Sequence, residues 1–148
     1  MQTVSVGEIA EKVKRPGEAL QTAIDRVKNW AKEGLIKPVG DKNPGSGRAR
    51  RYAKKSLIDA VLIQTLVNAG LTATNAAWVV KSLIRNLETV GTDPRTLVAY
   101  VGIQPNGKRW YSVSHSDDLH RRLIENDMPT DALTIIYVNK ILERMGED

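Results

Sequence analysis

Two stretches of this chain carry side chains that could do chemistry. In the first, Gln21, Thr22, Arg26, Lys28, Asn29 and Lys32 interrupt an apolar helical pattern, and Arg48-Ala49-Arg50-Arg51-Tyr52 follows a Gly-rich tip. Gln, Asn and Arg can read purine edges through paired hydrogen bonds, while Arg and Lys neutralise phosphates. The second stretch, Ser112-Val113-Ser114-His115-Ser116-Asp117-Asp118, holds the ingredients of a nucleophilic triad. A triad is defined by converging geometry, however, and neighbours on a strand point to opposite faces. A strand end followed by a helix N-cap, with acids complementing the helix dipole, accounts for all of these residues. No catalytic residue is assigned and the chain is not read as an enzyme. The absence of cysteine excludes disulfides, thiolate metal sites and thiol redox sensing, and two histidines make a weak metal site. Neither a metal nor a cofactor is expected.

Charge separates the two stretches. Residues 1–60 hold 13 Lys/Arg against 7 Asp/Glu, and residues 61–148 hold 9 against 10, so the whole basic excess lies in the first part. Such confinement is the footprint of a phosphate-directed face, against the plainer reading of a solvated basic surface. With 41% hydrophobic residues and no apolar run near the length of a membrane span, the composition is that of a soluble globular protein. Met1-Gln2-Thr3-Val4 has neither the basic start nor the apolar core of a signal peptide. The expected location is therefore a bacterial-type cytoplasm, associated with the nucleoid, with no membrane partner.

The elements that must position these residues can be read in order. Ser5 with Glu8 forms a capping box for a first helix, whose face of Val6, Ile9, Ala10 and Val13 ends near Val13. Lys14-Arg15-Pro16-Gly17 breaks it. A second helix, Glu18 to Glu33, turns Leu20, Ala23, Ile24, Val27, Trp30 and Ala31 inward and stops at Gly34. Leu35 to Val39 is the length of one strand, the segment around Lys42 and Gly45 is a flexible tip, and Arg48 to Tyr52 returns from it. The arginines there either charge an edge strand against aggregation or form a wing directed at phosphates. A third helix opens at Lys55 or Ser56, with Leu57, Ile58, Val61, Leu62, Thr65 and Leu66 as its stripe, and closes at Ala69-Gly70. Thr72 caps a fourth, which turns Ala76, Ala77, Val80, Leu83, Ile84 and Leu87 inward and ends at Gly91, with Trp78 and Val79 widening its apolar surface.

Beyond Thr92-Asp93-Pro94 the period changes to two. Leu97, Ala99, Val101 and Ile103 alternate, as do Arg109, Tyr111 and Val113 against Trp110, Ser112 and Ser114. Gln104-Pro105-Asn106-Gly107 suits a type I turn with Gly107 left-handed, so the two runs form a hairpin. Ser116 or Asp117 caps a helix through Leu119, Leu123 and Ile124, Leu133 to Val138 is a third strand, and Asn139 to Met145 a last helix. The predicted class is α+β: an N-terminal winged helix-turn-helix with two further helices in a domain of residues 1–91, then a small three-stranded antiparallel sheet with two helices in residues 92–148. Leu133 to Val138 is apolar on both faces, which requires cover beyond two short helices; either the fourth helix or a second copy of the chain supplies it.

The order of these motifs resembles the winged-helix domain of the MerR (mercury-resistance regulator) family over residues 4–88. The carriers are Val4-Ser5-Val6-Gly7-Glu8-Ile9-Ala10, the segment Trp30 through Pro38 with its Gly-Leu-Ile, Arg51-Tyr52 at the end of the wing, and Leu57 through Thr72. The chain departs from the family in a longer connection from Val6 to Gly34, read as about two extra turns on the front of the second helix, in a longer wing, and in one aromatic, Trp30, where members have a pair. Members that sense metals or redox state continue into a long dimerising helix and a binding tail; this chain has neither that helix nor a cysteine, so those functions do not transfer. The resemblance implies a sequence-specific regulator of transcription that binds double-stranded DNA, the second helix entering the major groove and the wing lying on phosphates or the minor groove. The candidate DNA-binding residues are Lys14, Arg15, Gln21, Thr22, Arg26, Lys28, Asn29, Lys32, Lys42, Arg48, Arg50, Arg51 and Tyr52. The alternative is a protein-interaction adapter on a winged-helix scaffold with weak duplex binding. A homodimer is expected, because a single small reading head contacts too few base pairs, and the C-terminal domain is the place for dimerisation or a protein partner.

Overall fold

Along the chain the secondary structure runs β1 (Thr3–Ser5), α1 (Val6–Val13), α2 (Leu20–Lys32), β2 (Pro38–Val39), β3 (Arg51–Ala53), α3 (Lys54–Asn68), α4 (Ala73–Val90), β4 (Leu97–Ile103), β5 (Arg109–His115), β6 (Ala132–Tyr137) and α5 (Val138–Arg144). The computed structural model describes residues 2–40, 45, 47–90, 97–115 and 131–146, and only the backbone of 86–90, 114 and 115. The expected helix after Ser116 lies outside the described residues. Among those described, the class is α+β, with five helices and two three-stranded antiparallel sheets ordered β1-β3-β2 and β5-β4-β6. None of these helices is long and apolar enough to cross a membrane.

The chain forms two compact units, residues 1–64 and 65–148, with the division inside α3. That differs from the boundary expected near Thr92. The physical reason is α4, which packs on the β4–β5 hairpin and sets the Trp78 ring edge-on to Tyr111, 5.8 Å between centroids.

In the first unit the local signals act as expected. The Ser5 hydroxyl accepts the Glu8 N–H at 3.2 Å and the Glu8 carboxylate accepts the Ser5 N–H at 2.6 Å, closing the capping box. These bonds, aided by the charge of Arg51, hold the Glu8 carboxyl below its usual range. Ile9, Ala10 and Val13 of α1 are buried, as are Ala23, Val27, Trp30 and Ala31 of α2, and burying the larger of these side chains is worth about 1.5 to 3 kcal/mol each. Helix α2 begins at Leu20, two residues later than expected, because Glu18 closes a turn: its N–H donates to the Arg15 carbonyl at 3.1 Å. Gly17, at φ +76°, supplies the left-handed third position of that turn after Pro16. At the other end, Leu35 N–H reaches the Trp30 carbonyl at 2.8 Å and Gly34 N–H the Ala31 carbonyl at 3.2 Å, a Schellman stop centred on left-handed Gly34.

The small sheet of this unit has a member that the periodicity did not announce. β1 pairs antiparallel with β3, Val4 opposite Tyr52, while β2 is only Pro38–Val39 and pairs with the other side of β3. Arg48 to Arg50 lie outside strand structure, so the returning strand is Arg51–Ala53 rather than the longer run expected. Helix α3 follows without a break and departs from its expected stripe. Ser56, Ala60, Leu62, Ile63, Gln64 and Leu66 are buried, whereas Leu57, Ile58, Val61 and Thr65 are half-buried. A helix apolar round most of its circumference gives the period little to choose between.

In the second unit Thr72 caps α4 through its hydroxyl, which accepts the Asn75 N–H at 3.2 Å. Ala76, Ala77, Val79, Val80 and Leu83 are buried. The hairpin tip forms as expected, with Gly107 N–H donating to the Gln104 carbonyl at 2.8 Å and Gly107 at φ +79°. The strand covered on both sides is β4, not β6. β4 lies at the centre of the sheet and is buried from Leu97 through Gly102, whereas β6 is an edge strand with Ala132, Thr134 and Tyr137 exposed. One sheet face carries Tyr111 and the α4 contact. On the other, Trp110, Leu133 and Ile135 pack round buried Val98 and Tyr100. Gly102 is needed there, because a Cβ at that position would lie 2.2 Å from the Trp110 ring.

Candidate nucleic-acid interface

The first unit contains a groove of about 760 Å³ lined by Val6, Lys28, Asn29, Lys32, Ala49, Arg50 and Tyr52. Its two walls follow from the fold. Lys28 and Lys32 stand one helical turn apart, with Asn29 next to Lys28, on the side of α2 away from its buried face, and the β3 arm brings Arg50 and Tyr52 opposite. Lys28, Asn29 and Lys32 are exposed, and Arg50 is half-buried. The groove thus joins three cations and one amide, a set able to hold phosphate oxygens and to pair with a base edge.

Gln21 and Thr22 are exposed on the first turn of α2, where the Gln21 amide donates to the Asp25 carboxylate at 2.9 Å. Lys14 and Arg15 are exposed in the turn between the helices, and Arg48 is exposed beside the wing. Lys42 lies outside the described residues.

Three of the expected contact residues have partners or burial within the protein. Arg26, expected to face outward, is partly buried. Its guanidinium pairs with both carboxylate oxygens of Glu18, one bond being 2.8 Å, and donates to the Val13 carbonyl at 3.0 Å, with only 16% of the side chain exposed. Arg26 therefore satisfies an orphan carbonyl at the end of α1 and ties it to the turn before α2. The Glu18 carboxyl, held by Arg26 and by the Arg15 N–H at 2.9 Å, is lowered to about 2. Tyr52 lines the groove but is fully buried, and its hydroxyl finds no hydrogen-bond partner among the described residues, so it is a packing residue of the groove floor. Arg51 lies on the other face of β3 from Tyr52, exposed but bonded along β1, where it donates to Thr3 Oγ1 at 3.2 Å and to the Thr3 carbonyl at 3.1 Å.

Sequence reasoning also missed Val6 and Ala49 as groove residues and Glu18 as the partner of Arg26. The first two carry no chemistry of their own. Glu18 sits in the turn, where helical spacing cannot pair it with a residue eight positions on. Of the triad ingredients, Ser112 lies on β5 opposite Tyr100, and Ser116, Asp117 and Asp118 lie outside the described residues. No protein-family model matches the chain, and no curated protein matches it.

Proposed function

We propose that the chain binds double-stranded DNA sequence-specifically and regulates transcription, with α2 entering the major groove and Arg50 and Arg48 meeting the backbone beside it, in the manner the MerR-like resemblance implies. The observation that carries this reading is the convergence of Lys28, Asn29, Lys32 and Arg50 on one groove, in the part of the chain that holds all the basic excess. The 13 residues of α2 span about 20 Å along the axis at 1.5 Å per residue, and an α-helix, about 10 to 12 Å across with its side chains, fits the roughly 12 Å major groove. Lys28 and Lys32 neutralise phosphates, and Asn29 is the residue suited to paired bonds with adenine. Arg26 acts at one remove by fixing the angle at which α2 is presented.

Such a reader works as a homodimer on a two-fold site, because one small head distinguishes too few base pairs. It also belongs in the cytoplasm with the nucleoid. The test is selection of duplexes from a random pool by the full chain, repeated with Asn29→Ala. A recovered motif that loses preference at particular positions in the variant supports the reading; recovery of no enriched motif by the unsubstituted protein overturns it.

A further inference from the structure

The second unit carries an exposed aromatic that the groove does not use. Trp78, on α4, is 60% exposed, whereas Trp30 is buried and Trp110 half-buried. It is also held in place: its ring meets Tyr111 edge-on at 65°. Basic residues share its helix and the strand that packs on it. Lys81 follows one turn along the same side of α4 and is exposed. Arg109 shares a sheet face with Tyr111 and passes over Gly70, whose missing Cβ would lie 3.0 Å from the Arg109 Nε.

We propose that Trp78, Lys81 and Arg109 form a docking site for an acidic segment of a partner protein, one that sets an apolar side chain among its carboxylates. Charge complementarity selects an acidic occupant. The indole then selects a protein over a duplex: phosphates satisfy cations alone, and a stacked duplex offers no apolar side chain for the indole to cover. A rigid Trp beside Tyr and Arg is also the composition that dominates binding energy at protein interfaces. Nothing in this assignment depends on the groove of the first unit.

The experiment uses the full chain, titrated against a labelled short peptide of alternating Glu and Leu and read by fluorescence anisotropy. Binding of the Glu/Leu peptide is expected, with a Glu/Ser peptide of equal charge at least about tenfold weaker. Trp78→Ala should weaken the Glu/Leu peptide by about tenfold or more and leave duplex affinity unchanged. Lys81→Glu, a surface change that spares the indole, should weaken it too. Absence of peptide binding, equal binding by Trp78→Ala, or oligothymidylate displacing the peptide through the indole would each overturn the proposal. So would a dimer that Trp78→Ala converts to monomer in light scattering, since a second copy would then be the occupant.

Discussion

Replacing Arg26 by Ala separates a residue that positions the reading helix from one that reads. The side chain spans from α2 back to Glu18 and to the Val13 carbonyl at 3.0 Å. The Val13 bond is charge-assisted, a class worth about 1.5 to 3 kcal/mol, and its loss also strands a carbonyl at the end of α1. In a unit of this size each kcal/mol moves Tm by about 4 to 8 °C, so Arg26→Ala should melt on the order of 10 °C lower. The Glu18 tie adds a pH signature. A carboxyl lowered from 4.5 to about 2 lends stability that is fully present above about 4.5 and lost as pH falls toward 2. The difference between unsubstituted protein and variant, measured by circular dichroism melts across that range, should therefore narrow in acid. Below its melting point the folded variant should still prefer the same duplex bases. An unchanged Tm together with lost base preference would return Arg26 to the DNA and refute the tether.

Three other outcomes follow from the same structure. Burial raises the Asp59 carboxyl to about 6 against the pull of Lys55, with one oxygen buried and unbonded among the described residues, so stability should fall as pH rises from about 4 through 6. After discount for solvent screening, Asp59→Asn should gain about 1 to 2 kcal/mol at pH 7.5 and little at pH 4, by urea midpoints; an equal gain at both would remove the charge from the explanation. Gly102→Ala should cost about 1 to 3 kcal/mol, because its Cβ would lie 2.2 Å from the Trp110 ring, and an unshifted urea midpoint would contradict that packing. Asn29→Ala should cost about 1 to 3 kcal/mol at single base positions with an unchanged Tm, in competition assays with mismatched duplexes.

What the sequence disclosed was local chemistry with fixed spacing. Ser5 with Glu8, Gly34, Thr72 and Gly107 each marked a helix end or a turn because one backbone bond or one left-handed residue decides it. The buried side of α2 was also legible, because its apolar residues occupy a single stripe. Features made by distant residues were not. Arg26 reads as one more polar residue on α2 until the turn brings Glu18 and the Val13 carbonyl to it. β1 is three residues long and merges into an N-cap, too short for a period to show. β4 and β6 are both apolar runs, and only the strand order makes one central and the other an edge.

If the groove of the first unit neutralises phosphates, duplex affinity must fall steeply with salt. Each phosphate neutralised contributes about 0.9 to the slope of log affinity against log salt. With Lys28, Lys32 and Arg50 in place, a random-sequence duplex pool titrated between about 50 and 200 mM salt should give a slope of about −2.7 or steeper. The triple variant Lys28→Ala, Lys32→Ala, Arg50→Ala should lose about 2.7 of that slope. A flat salt dependence of the unsubstituted protein, or a slope the triple variant leaves unchanged, would contradict the claim.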